Sequence, residues 1–207
     1  MFEVDALSRS GLAPVSFVLK AGEALAVRGP SGAGKSLLLR ALADLDPSVG
    51  LVWLEGRERE TIPAPLWRRQ VCYIAAEPGW WADLARDHFP DLAEARNLAE
   101  EFGLSPQLLD QPVARLSTGE RQRLALARGL ALHPRVLLLD EPTAALDPNA
   151  RSLAEAALLR RREGGCALVW VTHDPAQARR VAARLLWVEA GCVREISPDL
   201  VEGRESA

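Results

Sequence analysis

The chain has 207 residues, enough for one well-buried domain with a small inserted lobe. Its net charge of −3, from 25 basic and 28 acidic side chains, comes without a long basic stripe, which argues against a nucleic-acid partner. Cys72, Cys166 and Cys192 are too widely spaced for a disulfide framework or metal cluster and read as small core residues in a reducing compartment. Residues 1–5 lack the basic and apolar regions of a secretion signal, and no apolar stretch approaches a membrane span, so a cytosolic protein is expected.

Residues 2–7 and 15–20 read as short strands around a turn at 8–11. A tight turn at 21–23 leads into the apolar run 24–27, a buried strand. There follows Gly29-Pro30-Ser31-Gly32-Ala33-Gly34-Lys35-Ser36, a full match to the phosphate-binding pattern G-x-x-x-x-G-K-[ST], and then an apolar helical stretch at 37–43. Strand–loop–helix is the setting this motif needs, because glycines let backbone N–H groups curl around a phosphate at a helix N-terminus. Lys35 adds a positive charge for the β- and γ-phosphates, and the Ser36 hydroxyl can ligate Mg²⁺. A polar turn at 44–50, a strand at 51–54, a short helix at 63–70 and an apolar strand at 71–75 come next.

From 78 to about 112 the pattern is helical: Leu92, Ala95, Leu98, Ala99 and Phe102 fall on one face, Asp91 suits the N-cap and Gly103 the stop. This stretch reads as a helical lobe inserted between strands. Residues 116–120 introduce a helix running to about 132, and 136–139 form an apolar strand of the kind buried on both faces of a parallel sheet. Asp140-Glu141 stands at that strand's C-terminal end, and Asp147-Pro148 caps and starts another helix. Strand 167–171 ends at Thr172-His173-Asp174, and Pro175 opens the next helix. Strands at 185–188 and 192–196 flank Ala190-Gly191, and a polar, frayed tail is expected after Pro198. Alternating strands and helices describe an open α/β sheet with its ligand groups at the strands' C-terminal edge. The phosphate loop, Asp140-Glu141 and His173 converge there.

On these residues the chain resembles the nucleotide-binding subunit of an ATP-binding cassette transporter over nearly its whole length. Leu116-Ser117-Thr118-Gly119-Glu120-Arg121-Gln122-Arg123 is similar to the family signature L-S-G-G-[QE]-x-Q-R, with Thr118 the one departure. Residues 136–141 match the Walker B strand with its glutamate, Ala145-Leu146-Asp147 the D-loop and His173 the switch histidine. The resemblance implies an α/β fold: a P-loop NTPase sheet with a RecA-like core (1–77 and 116–207), an antiparallel β subdomain, and a small inserted α-helical subdomain at about 78–115. It implies ATP held by Gly29, Pro30, Ser31, Gly32, Ala33, Gly34, Lys35, Ser36 and Leu37. It also implies Mg²⁺ held by Ser36 directly and by Asp140 through water, with Glu141 polarising the attacking water and His173 orienting it. Ser117 and Gly119 open a helix N-terminus, an anion site with no phosphate in its own subunit. In the family two subunits pair head to tail, and each signature caps the ATP on the other's phosphate loop.

The resemblance therefore implies an ATP hydrolase at the cytoplasmic face of the inner membrane. It works with a separate membrane-spanning permease subunit and a second nucleotide-binding subunit, preferably an identical copy, and with no nucleic acid. A soluble cassette protein of DNA repair or translation is the alternative of another class, but such relatives carry a coiled-coil insertion or two cassettes in one chain. A nucleotide-gated module with little hydrolysis is a third reading. It is motivated by Ala76, which stands where the family's Q-loop glutamine is expected, beside Glu77. The family's adenine-stacking aromatic is also missing from Arg9-Ser10-Gly11-Leu12. Trp80-Trp81 lies where the family receives a helix of the membrane subunit. Adjacent tryptophans cannot both point inward on one helical or strand face, so at least one should be exposed or partly exposed, the alternative being that both pack within the lobe.

Overall fold

The computed structural model describes residues 1–197, and the tail expected after Pro198 lies outside them. Phe2–Arg9 (β1) and Leu12–Leu19 (β2) form an antiparallel hairpin that buries Phe2, Val4, Leu7, Val15, Phe17 and Leu19. Its turn is Ser10-Gly11 rather than the longer 8–11 expected, because a two-residue connection matches the strands' twist and lets both pair to their ends. After Ala24–Arg28 (β3) and Lys35–Leu42 (α1), Val49–Leu54 (β4) pairs with the other side of β1. Val49 faces Ser8 across that pair, which extends the strand into what reads as a turn in the sequence. Arg57–Glu58 (β5) completes a four-stranded sheet in the order β2-β1-β4-β5. Ala64–Gln70 (α2) then returns the chain to the main sheet, and Leu92–Glu101 (α3) follows in the inserted lobe.

The main sheet collects β3, Val71–Ile74 (β6), Val136–Asp140 (β7), Ala167–Val171 (β8), Arg184–Glu189 (β9) and Cys192–Ile196 (β10). The order is β10-β9-β3-β8-β7-β6, parallel throughout except for the edge strand β10. Every residue of β3, β7 and β8 is buried, as expected for strands covered on both faces. On one face Leu38, Leu39 and Leu42 of α1 share a core with Phe2, Leu19, Val27 and Leu138. On the other, Leu137, Leu139, Leu168 and Trp170 pack with Leu126, Ala154, Leu158 and Val181. These last four belong to Thr118–Leu130 (α4), Pro148–Glu163 (α5) and Pro175–Val181 (α6). The register sets Val27 and Asp140 on either side of Val171, so three chain segments leave the sheet at one level.

The stretch expected to be helical from 78 holds a single α-helix among the described residues, α3, capped by the Asp91 carboxylate accepting from the Glu94 amide at 2.8 Å. The rest is irregular chain with short 3₁₀ turns at Ala85–His88, Pro106–Asp110 and Val113–Arg115. Pro78, Gly79, Pro90, Pro106 and Pro112 break longer helices there. A small core of Ala95, Ala99, Leu104, Leu109 and Leu124 still closes the lobe onto α4. Cys72 and Cys166 are buried and their thiols are pushed up by desolvation, to about 11 and about 12. Cys192 departs from the expected core position: it opens the edge strand β10 and is exposed.

The C-terminal end of α1 is tied to its surroundings by side chains. The Trp67 indole donates to the Leu42 carbonyl at 3.0 Å and the Arg59 guanidinium to that of Ala41 at 3.0 Å. The indole satisfies a carbonyl that the helix terminus leaves without a backbone partner, and Arg59 adds to the Asp44 amide that already donates to Ala41 at 3.2 Å. Next to them Asp46 accepts from Arg40 at 2.7 and 2.8 Å and from Arg9 of β1. The Arg40 hydrogen bond, with help from Arg9, holds the Asp46 carboxyl down to about 2. Because the folded value lies below the unfolded one, this stabilisation is present above about pH 4 and lost as pH falls toward 2. Solvent screens part of the effect, so Asp46→Asn should cost about 1–2 kcal/mol in urea melts at pH 7. The deficit should shrink as the same melts are run toward about pH 2.5, and a deficit independent of pH would show that the charge is not what Asp46 contributes.

Candidate functional site

The site is built where β3, β7 and β8 end side by side. The chain leaves β3 at Gly29, whose φ is +149° and whose place against β9 is so close that an added Cβ would stand 1.9 Å from the Val188 carbonyl oxygen. Only glycine lets the loop start there. The loop re-enters helix at Gly34, the N-cap of α1, again at positive φ (+109°). Leu38 makes the first helical bond back to Gly34 at 3.0 Å. The amides of Lys35, Ser36 and Leu37 are therefore left without intrahelical acceptors and with the positive end of the helix behind them. Lys35 is 6% exposed, and its ammonium donates to the Gly29 and Pro30 carbonyls at 2.9 and 2.8 Å. Burial lowers its pKa, against which the Glu141 and Asp140 carboxylates act.

A cleft of about 380 Å³ opens over this loop, lined by Ser31, Gly32, Gly34, Lys35, Ser36, Leu37, Glu141 and His173. Glu141 follows β7 with φ +47°, a left-handed conformation that costs a non-glycine residue about 1–2 kcal/mol. Its amide donates to the Val171 carbonyl at 3.2 Å, and its carboxylate lies 2.8 Å from His173 Nε2. The His173 backbone is held in turn by Arg28, buried at the end of β3, whose guanidinium donates to the His173 carbonyl at 2.9 Å. Asp174 caps α6 by accepting from the Ala176 and Gln177 amides at 2.8 and 3.2 Å, which fixes the far side of the same turn. Asp140 is 5% exposed, and one of its oxygens accepts from the Tyr73 hydroxyl at 2.9 Å.

Ser117 and Gly119 are not among the residues lining the cleft. Ser117 is the N-cap of α4 in a reciprocal capping box. Its amide and hydroxyl donate to the Glu120 carboxylate at 2.8 and 2.7 Å, while its oxygen accepts from the Glu120 amide at 3.3 Å. Thr118 opens the helix with its hydroxyl accepting from Arg121 at 3.3 Å. Asp140, Ala76 and Glu77 do not line the cleft either, nor do Gly29, Pro30 and Ala33 of the phosphate loop. Arg9, in the stretch without an aromatic, turns to Asp46.

A second concavity of about 360 Å³ lies along the edge strand β6, lined by Arg68, Tyr73, Gly79, Trp81, His88, Arg128 and apolar neighbours. Trp81 is 73% exposed, so one of the two tryptophans does face solvent. The Arg128 guanidinium sits 4.6 Å from the Trp80 ring centre and 4.8 Å from that of Trp81. His88 meets both rings edge-on, and Arg128 also donates to the Gly79 carbonyl at 3.0 Å. Burial lowers the pKa of Arg128. Arg28, Tyr73 and Arg128 are the contributors that reading the sequence misses. Each carries a signal in hindsight: a charge ending an apolar strand, the chain's one tyrosine within another strand run, and a cation on the apolar side of a helix.

Residues 12–144 match the family described as "ABC transporter". The probable iron export ATP-binding protein FetA of Escherichia coli is 39% identical over 172 residues, which are 77% of this chain and 76% of that protein. The sulfate/thiosulfate import ATP-binding protein CysA of Mycobacterium tuberculosis is 37% identical over 93% of this chain, which spans only 59% of CysA. Among solved structures, the dimeric ATP-binding cassette MJ0796 in a post-hydrolysis state, bound to ADP and Pi, superposes with a TM-score of 0.84. It is 25% identical, over 96% of this chain and 99% of that one.

The close approach at Gly29 yields a test of the loop itself. Gly29→Ala should destabilise the fold by about 2–4 kcal/mol, because backbone rather than a flexible side chain must move. Thermal melts and nucleotide-binding titrations should show the two losses together. A variant that melts and binds like the parent would mean that the loop can start farther from β9.

Proposed function

The chain belongs to the ABC transporter family as an ATP-hydrolysing, ATP-binding subunit, and from that premise we propose how its own residues do the work and with which partners. The observation that carries the reading is the convergence of Lys35, Glu141 and His173 on one cleft over the phosphate loop. The backbone of residues 29–37 and the Lys35 ammonium bind the β- and γ-phosphates. Lys35 exchanges its carbonyl partners for phosphate oxygens, and the Glu141 and Asp140 carboxylates oppose the burial that lowers its pKa. Glu141 accepts a hydrogen bond from the attacking water and orients it toward the γ-phosphorus. His173, already in contact with that carboxylate, fixes its direction and can donate to the γ-phosphate. The water oxygen bonds to the γ-phosphorus as the bond from that phosphorus to the β–γ bridging oxygen breaks, the proton that the water gives up passes by way of Glu141 to the released phosphate, and ADP and inorganic phosphate leave.

The donor set fits Mg²⁺: the Ser36 hydroxyl lines the cleft, and the buried Asp140 keeps one oxygen beyond the one that accepts from Tyr73. Hard oxygen donors of this kind suit the ion. When bound, Mg²⁺ supplies charge neutralisation on the phosphate oxygens. Ser117 and Gly119 serve a different copy of the cleft. Their helix N-terminus caps ATP held by a second nucleotide-binding subunit, preferably an identical chain, in a head-to-tail pair.

Among the described residues no helix is long and apolar enough to cross a membrane. The relatives are named as ATP-binding proteins of export and import, which supports a separate membrane-spanning permease, with this subunit at the cytoplasmic face of the membrane. The groove along β6 receives the permease: Trp81 presents a large exposed apolar surface beside the Arg128 charge.

Glu141→Gln keeps the shape of the side chain and removes its charge. It should bind Mg-ATP, lose at least about a hundredfold in hydrolysis, and accumulate as an ATP-dependent dimer in size-exclusion chromatography. Turnover at the parental rate would remove Glu141 from the mechanism. Trp81→Ala should leave the melting temperature and ATP affinity unchanged and reduce co-purification of the permease by about tenfold or more. Undiminished co-purification would place the permease elsewhere.

A further inference from the structure

Asp140 is buried, yet its direction is not set by the strand that carries it. Among the described residues, Tyr73 is the one whose side chain is seen to hold its carboxylate, with the hydroxyl donating to Oδ2 at 2.9 Å. Tyr73 lies on β6 opposite Leu138, two residues before Asp140 on the neighbouring strand. The contact thus crosses between strands and persists only while β6 keeps its register. A phenol hydroxyl beside a carboxylate acts as the donor of the pair.

The same side chain reaches the second concavity. Tyr73 lines the groove along β6 together with Trp81 and Arg128. One residue therefore borders the groove and touches the candidate metal carboxylate with its hydroxyl. Neither Tyr73 nor Asp140 lines the cleft over the phosphate loop, and neither do Ala76 and Glu77 farther along the chain; the cleft begins at Glu141, the residue after Asp140. Ala76 carries no side-chain donor or acceptor with which to report on the nucleotide.

We propose that Tyr73 is a positioning residue that aims Asp140 at the Mg²⁺ of bound ATP and links that carboxylate to the groove along β6. The proposal rests on the metal role given to Asp140 above. A hydrogen bond to one oxygen fixes the direction of the other, and loss of such an outer partner typically weakens a metal site by about tenfold or more.

Tyr73→Phe removes the hydroxyl and keeps the ring. The measurement is the dissociation constant of a fluorescent ATP analogue in EDTA and in saturating Mg²⁺, for parent and variant, with circular dichroism melts alongside. In the variant the EDTA value should match the parent, while the tightening conferred by Mg²⁺ should fall by about tenfold. In hydrolysis assays kcat should drop by a similar factor with KM for ATP little changed. Asp140→Asn serves as the second variant: adding Tyr73→Phe to it should produce no further change in the Mg²⁺ effect. An unaltered Mg²⁺ effect in Tyr73→Phe, or an equal further loss in the double variant, would overturn the proposal. A parent whose binding does not respond to Mg²⁺ at all would overturn the metal role itself, which is a separate result.

Discussion

The structure depends on the register of three buried parallel strands. With Val27 and Asp140 both level with Val171, β3, β7 and β8 release their chains at one edge. The phosphate loop, Glu141 and His173 meet there although they are far apart in sequence. No side chain could bring them together if one strand slipped, because a shift of one residue would also turn every side chain to the wrong face. The strands resist slipping because all their residues are buried, between α1 and the antiparallel sheet on one side and α4 to α6 on the other.

Around that register the molecule holds its unfavourable features in place. Glu141 keeps a left-handed backbone because its amide is bound by the Val171 carbonyl. Arg28 is a cation at the end of a buried strand, where it secures the turn that bears His173. Gly29 packs against the β9 backbone at a distance no side chain permits. Each costs free energy that a merely stable fold would not incur, and each sits within the same candidate site. Away from the site the ties are ordinary ones: the Trp67 and Arg59 donations to the end of α1 and the Arg9–Asp46–Arg40 clamp.

Much of this is legible in the sequence because the relevant signals are local. The phosphate loop is a contiguous motif between an apolar strand and a helix, and the caps at Asp91, Ser117 and Asp147 follow from short-range chemistry. What escapes is what depends on partners distant in the chain. The turn at 8–11 shortens because Ser8 pairs with Val49, and the lobe after residue 78 is mostly irregular because its prolines outweigh its apolar spacing. Cys192 looks like a core residue until its strand proves to be the sheet's edge. Tyr73 and Arg28 act on groups 67 and 145 residues away, a relation that no local pattern carries.

In the proposed head-to-tail pair, one chain supplies the phosphate loop and another the signature helix of each working site. Mixing two inactive variants tests it most directly. Lys35→Ala disables the loop of its own chain, and Ser117→Arg blocks the cap that its chain offers to another. If sites are shared, each variant alone should be inactive, and an equal mixture should recover up to about a quarter of the parental ATPase rate, from the one intact site in each mixed pair. A mixture as inactive as its components, or a Ser117→Arg variant that hydrolyses ATP at the parental rate, would contradict the account.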